Sequence, residues 1–347
     1  MRTNIIATLP TVLDRILRIP EKPMNIILNL EEACNLRCIQ CDIWKSQITK
    51  PKLTLETRKE ILMKIKNWLG PYILNIFAGE PLIHPQIFDL ISFASKNRIK
   101  TIITTNGTLL SEQICKKLID SQLSAMFISI DGYRDKTHDY IRGRKGARKM
   151  LINGLSTMIK LRGKKKTPMI AIESLITKYN FGELPQLVNM ITEFEIEGIV
   201  FQPVTSKYGF GNSEYNPDWH NEENSLLPNY SKVKPVIEKL INSKRNGVLI
   251  LNTFEHLKRS LKYFESPENF TALTSCLAHN NFSISVDGSI STCFPQGFIG
   301  DSKAKDFSKI WFGWKNRKSR LTNLYCEKTS KILLCNSLSL AEILGFE

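Results

Sequence analysis

Short apolar runs rich in β-branched residues alternate along the chain with stretches whose apolar positions recur every three to four residues. The runs are MNIILNL (24–30), YILNIFA (72–78), KTIITT (100–105), AMFISI (125–130), PMIAIESL (168–175) and GIVFQPV (198–204). Most are apolar almost without interruption, as strands buried on both faces are. Between the first two, a helical stripe opens at Thr54 and stops at Gly70, and residues 85–97, 111–122, 146–161 and 183–195 show the same period. Six β/α units in succession predict an α/β fold with a parallel sheet and helices outside, either doubly wound or a full or partial barrel.

The pattern changes further along. Residues 205–235 are polar and rich in Pro and Gly, as in a long connection near a site mouth. A helix over 235–244, an apolar run VLILN (248–252) and a helix over 253–264 follow. FSISVDGSISTCF (282–294) reads as a hairpin with Asp287-Gly288 at its turn. The stretch 306–324 reads as a helix with Ile310, Trp311 and Trp314 on one side. At the other end of the chain, Leu9, Val12, Leu13, Ile16 and Leu17 share one helical face, expected to pack on the protein's own surface, with a membrane surface or a partner as the alternative. The expected organisation is an N-terminal amphipathic extension (1–22), a core (23–205), a connecting segment with helices (206–270) and a small α+β C-terminal domain (271–347).

Polar, glycine-rich and unusual residues concentrate where the strands end. A three-cysteine loop follows the first run, AGEP (78–81) the second, TTNG (104–107) the third and SIDG (129–132) the fourth, while the sixth carries Gln202. The C-terminal rim of a parallel sheet is where α/β folds build their sites. Successive loops of this kind on one rim predict a site there.

Charge and composition narrow the partners. The net charge of +15 comes from scattered lysines, with two basic runs at 142–149 and 160–166. Neither run interleaves aromatic residues for base stacking, so no nucleic-acid partner is expected. No apolar run nears the roughly 18 residues of a bilayer span, and the first residues lack a secretory signal, so a cytoplasmic protein without a membrane span is expected. The eight cysteines fall at 34, 38, 41, 115, 276, 293, 326 and 335. In a reducing compartment such clusters suggest metal before disulfide. Cys115 sits among Ile114, Leu118 and Ile119 and reads as core. Cys34, Cys38 and Cys41 have no fourth local ligand. Zinc would need one from elsewhere, whereas an iron–sulfur cluster with three cysteines leaves one iron open for chemistry.

C-x3-C-x2-C (Cys34, Cys38, Cys41), GEP (Gly79, Glu80, Pro81), TNG (Asn106, Gly107) and SIDG followed by HDYIRG (138–143) together resemble the radical S-adenosylmethionine (radical SAM) superfamily. The resemblance covers residues 24 to about 205 and implies a partial (β/α)6 TIM-type barrel. It also implies a [4Fe–4S] cluster on the three cysteines, whose open iron binds SAM. Reductive cleavage of SAM would yield a 5′-deoxyadenosyl radical that abstracts hydrogen from a substrate. By the same resemblance Ala78, Gly79, Glu80 and Pro81 would hold the SAM amino group. Ser129 and Arg142 would meet the ribose and the methionine carboxylate, and Asn106 and Gln202 would line the pocket. Gln40 stands where the family usually has an aromatic residue, and Ala78 where it usually has glycine.

Cys276, Gly288 and Cys293 are similar to the opening of the SPASM domain, an auxiliary cluster module. Cys326 and Cys335 keep two of the later cysteine positions, with Thr329 and Ser339 in the others. The resemblance implies a shortened, twitch-like domain with one auxiliary [4Fe–4S] cluster, and a structural zinc remains the alternative. The expected activity is modification of a peptide or ribosomally made precursor. The extra N-terminal domain with which many peptide maturases capture a leader has no counterpart in this sequence, so the expectation is either a separate recognition protein or a substrate that is not a peptide. The alternatives are a small-molecule dehydrogenase or carbon-skeleton enzyme of natural-product or cofactor biosynthesis, and a non-catalytic metal-binding protein. A flavodoxin or ferredoxin is the expected electron donor, docking on the basic runs.

Overall fold

The computed structural model describes residues 20–45, 51–206, 216, 218–268, 270, 278–293, 297–324 and 332–333. Strands β1 (Asn25–Asn29), β2 (Ile73–Phe77), β3 (Lys100–Thr105), β4 (Ala125–Ser129), β5 (Met169–Ile176) and β6 (Gly198–Pro203) pair in chain order, each parallel to the next. Helices α1 (Leu55–Leu69), α2 (Ile87–Lys96), α3 (Glu112–Asp120), α4 (Asp135–Arg142), α5 (Ala147–Arg162) and α6 (Leu184–Glu193) connect them. This is the six-unit partial barrel that the hydrophobic pattern and motifs imply.

Side-chain chemistry sets the helix starts. Thr54 and Ser111 accept hydrogen bonds from Thr57 N and Ile114 N, satisfying amides that have no partner within the helix. Helix α4 escapes the periodicity reading because only His138 and Ile141 of its eight residues are buried. The strand register turns Ile102, Ala125, Phe127, Ala171 and Val200 inward as an apolar plug, while the opposite faces pack on the helices. Cys115 is fully buried in the outer layer, as expected.

The sheet does not stop at β1. Strand β7 (Asn281–Ile284) pairs parallel with β1, and β8 (Ser289–Ser291) and β9 (Gly300–Asp301) continue it antiparallel. The Asp287-Gly288 turn forms as predicted, with Gly288 at φ +88°. A Cβ there would meet Ser302 Oγ at 2.3 Å. Thus the C-terminal hairpin extends the barrel's own sheet, and Asn25 donates to Asn281 Oδ1 (2.9 Å) across the seam.

Two expectations need correction, and one apolar run takes a definite form. The helix expected to begin at Pro235 begins at Tyr230, as α7 (Tyr230–Arg245), with the proline inside it. The lost backbone bond is tolerated because Val233, Ile237, Leu240 and Ile241 bury one face. VLILN makes a single bridge, Ile250 to Ile199, before α8 (Phe254–Glu265). The stretch 306–324 forms two helices, α9 (Phe307–Trp311) and α10 (Trp314–Leu324), separated at Phe312-Gly313. The break turns Trp314 outward to 67% exposure while Trp311 is fully buried. The N-terminal apolar face, Leu9 to Leu17, lies outside the described residues. Among the described residues no helix is long and apolar enough to cross a membrane.

Trp311 ties the C-terminal helices to the barrel. Its indole N–H donates to Pro20 O (2.8 Å), its ring lies near Trp68 and Phe282, and the Arg320 guanidinium stacks 4.9 Å from its centroid. Trp311→Ala should cost about 3–5 kcal/mol and Trp314→Ala within about 0.5 kcal/mol, read from urea denaturation midpoints. Equal losses would contradict this packing.

Candidate functional site

The loop after β1 begins with a turn held by Glu31, whose carboxylate accepts from the amides of Glu32 (2.9 Å) and Ala33 (3.0 Å). Cys34, Cys38 and Cys41 follow as free thiols packed with Leu36 and Ala147; Cys38 is buried and the others half-buried. Burial pushes all three thiols up, Cys41 to about 11. Thiols so placed ionise only when a cationic partner binds them, so the donor set suits an iron–sulfur cluster or a metal. Among the described residues no three His, Cys, Asp or Glu side chains converge as on one metal ion. A cubane cluster, in which each thiolate takes a different iron, needs no such convergence.

The AGEP turn lies directly on this loop. Ala78 and Gly79 adopt φ of +83° and +49°, and Glu80 N donates to Ala33 O (2.9 Å). A Cβ on Gly79 would stand 2.4 Å from Ala33 O, so only glycine permits the approach. Ala78 keeps the turn at a cost of about 1–2 kcal/mol. The Glu80 carboxylate is buried and accepts from Leu82 N (3.1 Å), Thr105 Oγ1 (2.7 Å) and Asn106 N (2.8 Å), bracing the second loop to the third. Burial pushes its pKa up, and these donors pull it back. Asn106 Nδ2 donates to Asn35 Oδ1 (2.9 Å) and faces Cys34 Sγ at 4.0 Å. Thr108 closes a ring by donating to Asn106 Oδ1 (2.6 Å) and accepting from Asn35 Nδ2 (2.8 Å).

On the other side, the end of α4 clamps the loop. Arg37 N donates to Arg142 O (3.3 Å) and Ile39 N to Ile141 O (2.9 Å). Gly143 ends the helix at φ +65°, where a Cβ would stand 2.1 Å from Arg37 O. The Arg142 side chain pairs with Asp131 Oδ2 through Nη2 (2.7 Å) and reaches Cys38 Sγ through Nη1 (4.0 Å). Asp131 also accepts from Gln40 Nε2 (3.3 Å) and Leu175 N (2.8 Å). Burial pushes the Asp131 carboxyl up, and Arg142 draws it back. Ser129 ends β4 in register with Glu173 of β5. Glu173 is pushed up to about 7 by burial, with Arg142 opposing and Asp131 adding. Gln202 lies beside Leu175 in the register, half-buried.

The structure therefore brings the cysteine loop together with Ala78–Pro81, Asn106 and Arg142. Asn35, Thr108 and Glu173 carried no signal in the sequence, and Asp131 was legible only as part of SIDG. Cys293 is half-buried just past β8, and because β8 runs antiparallel to β1 the hairpin carries it away from the cysteine loop. Cys276, Cys326 and Cys335 lie outside the described residues. The two basic runs are far apart. Residues 142–149 adjoin the cysteine loop, whereas the sixteen-residue α5 carries the chain about 24 Å before the exposed Lys164, Lys165 and Lys166.

Residues 28–191 match the family model of the Radical SAM superfamily. The chain is 25% identical over 323 residues to Fe-coproporphyrin III synthase of Methanosarcina barkeri, covering 86% of this chain and 77% of that one. It is 22% identical over 185 residues to mycofactocin maturase MftC of Mycobacterium tuberculosis, covering 53% and 46%. Its fold is similar to the crystal structure of Streptococcus suis SuiB, with a TM-score of 0.63 at 18% identity, covering 89% of this chain and 70% of that one.

The clamp at Gly143 can be tested against an open glycine. Gly146 has φ +80° and ψ 2°, in the left-handed region, and a Cβ added there would have nothing within 4 Å, so Gly146→Ala should cost only about 1 kcal/mol. Gly143→Ala should cost at least about twice that and lower iron uptake on anaerobic reconstitution, measured by melting and iron assay. Equal behaviour of the two variants would refute the clamp.

Proposed function

The chain belongs to the radical SAM superfamily, and on that premise we propose that Cys34, Cys38 and Cys41 hold a [4Fe–4S] cluster whose open iron binds SAM. The observation that carries this reading is the shared placement of the three thiols in one loop, with the AGEP turn bonded to its start and Arg142 and Asn106 facing two of its sulfurs. Bound there, the group supplies reductive cleavage of SAM to methionine and a 5′-deoxyadenosyl radical that takes hydrogen from the substrate. The chain's own residues bind and orient. Backbone oxygens of the AGEP turn, with Glu80, receive the amino group, Arg142 faces the carboxylate, and Ser129 receives the ribose. Asn106 and Gln202 line the pocket. Glu80, Asp131 and Glu173 outnumber Arg142 around the rim, and SAM, a net cation, suits that balance.

The substrate reading follows the inward side chains at the strand ends. Asn29, Phe77, Thr104, Ser129, Glu173 and Gln202 are neutral or acidic. Among the described residues the cations near these ends are already engaged, Arg142 with Asp131, Lys52 with Glu31 and Arg58 with Leu30 O, whereas peptide amides suit asparagine, glutamine and hydroxyl partners. Peptide modification is therefore the leading reading, in line with the name of MftC. A small molecule of cofactor biosynthesis is the second, favoured by the match to Fe-coproporphyrin III synthase over most of both chains. Cys276, Cys293, Cys326 and Cys335 are assigned to one auxiliary [4Fe–4S] cluster that relays electrons or holds the fold. An acidic flavodoxin or ferredoxin is assigned to the basic run at 142–149, beside the cysteine loop.

Anaerobic reconstitution with iron and sulfide tests the central reading. Wild type should hold about eight irons and release 5′-deoxyadenosine from SAM with dithionite. A Cys34/Cys38/Cys41→Ala variant should hold about four and release none. About four irons in wild type would remove the auxiliary cluster, and no 5′-deoxyadenosine from fully loaded protein would remove the radical reading. Arg144, Lys145 and Lys149→Glu should slow flavodoxin-driven turnover and spare dithionite-driven turnover. Lys164, Lys165 and Lys166→Glu should change neither; the opposite pattern would move the docking face.

A further inference from the structure

We propose that Arg142, anchored by Asp131, sets the reduction potential of the cluster on Cys34, Cys38 and Cys41, with Asp131 as its positioning residue. The inference rests on the reading that these cysteines hold a cluster. It assigns Arg142 work before any SAM arrives, and it gives Asp131 and Gln40 a reason to be where they are.

The geometry is a closed ring. Cys38 Sγ faces Arg142 Nη1 (4.0 Å), Arg142 Nη2 pairs with Asp131 Oδ2 (2.7 Å), and Asp131 Oδ2 accepts from Gln40 Nε2 (3.3 Å), which returns to the cysteine loop. Gln40 thus has a structural partner of its own at the position where related enzymes usually carry an aromatic residue. The guanidinium is nearly enclosed, with its side chain 11% exposed, and the Asp131 side chain is fully buried. The main chain of Arg142 is also tied down, because its carbonyl accepts from Arg37 N and Gly143 presses on Arg37 O. An arginine meant only to meet an incoming carboxylate would keep its fork open. Here both terminal nitrogens already face protein partners, and Nε is buried with no partner among the described residues.

A fixed positive charge against one thiolate favours the extra electron of the reduced cluster, so Arg142 raises the potential. The Asp131 carboxylate lies one step further from the sulfur and opposes it. In an enclosed, low-dielectric setting neither charge is screened away. Removing the two charges must therefore move the potential in opposite senses. A purely structural role for either residue would change how much cluster loads, without that pattern.

The test is an EPR-monitored redox titration of the full-length, anaerobically reconstituted protein without SAM. It follows the signal whose shape changes when SAM is added. Arg142→Gln should make that cluster harder to reduce by about tenfold in the equilibrium constant, about 59 mV downward for one electron. Asp131→Asn should shift it upward, and Arg142→Lys, which keeps the charge and loses the fork, should titrate close to wild type. Only loaded molecules contribute to the signal, so a variant that loads poorly still reports its potential. Shifts of the same sign in Arg142→Gln and Asp131→Asn, or no shift in either, would overturn the inference while leaving the cluster assignment standing. Absence of any SAM-responsive signal in wild type would overturn both.

Discussion

The structure depends most on how closely the backbone of the cysteine loop is approached by its neighbours. The loop has almost no regular structure of its own, and its shape is imposed from two sides. The AGEP turn reaches Ala33 O through Glu80 N, and the end of α4 reaches Arg37 and Ile39 through the carbonyls of Arg142 and Ile141. Both approaches require a missing side chain, at Gly79 and Gly143, because a Cβ would stand 2.4 Å and 2.1 Å from main-chain oxygens. Two glycines on separate β/α units therefore determine where three thiols sit. A rigid barrel is needed because only the fixed register of β1, β2 and β4 brings those turns to one place.

Charge is divided in the same ordered way. The chain carries +15, yet the rim is rich in carboxylates, with Glu80 and Asp131 buried and Glu173 half-buried around one guanidinium. Lysines stay at the surface because burying an ammonium without a partner costs several kcal/mol. Arginine is admitted because its planar fork can serve a carboxylate and a sulfur at once. The outside and the mouth thus differ in charge, the division that the proposed acidic donor and cationic cofactor require.

Much of this was legible in the sequence because burial on both faces leaves a strong signature. All six barrel strands fall within a residue or two of their apolar runs, and AGEP, TTNG and SIDG end up on one rim. What was not legible shares a cause, namely dependence on contacts distant in sequence. Helix α4 is too polar to show a stripe, yet it holds Arg142 against a loop a hundred residues away. The pairing of β7 with β1 joins residues more than 250 apart, as the Asn25–Asn281 bond shows. Pro235 resembles a helix start because local rules favour it there, but burial along α7 outweighs one lost bond. Gly313 hides as a break because its neighbours are apolar, although the chain turns at that point and exposes Trp314.

The barrel interior shows why the site opens on one side. Along β3 to β6 the inward residues below the polar strand ends form the apolar plug of Ile102, Ala125, Phe127, Ala171 and Val200, which holds that side shut. Along β1, β2 and β7 the inward residues include Asn25, Asn29, Asn75, Asn281 and Ser283. Asn25 and Asn281 satisfy each other, but both amide atoms of Asn29 and the Oδ1 of Asn75 are buried with no partner among the described residues. Each such group costs about 1–3 kcal/mol, and apolar residues of similar size would have packed there more stably. Asn29 is the last residue of β1, directly beneath the cysteine loop, and Phe77 beside it leads into AGEP. Asn75 stands two residues deeper, level with Ile102 of the plug, so the polar burial runs down the β1–β2 wall from the cysteine loop and leaves the β3–β6 wall apolar at that depth.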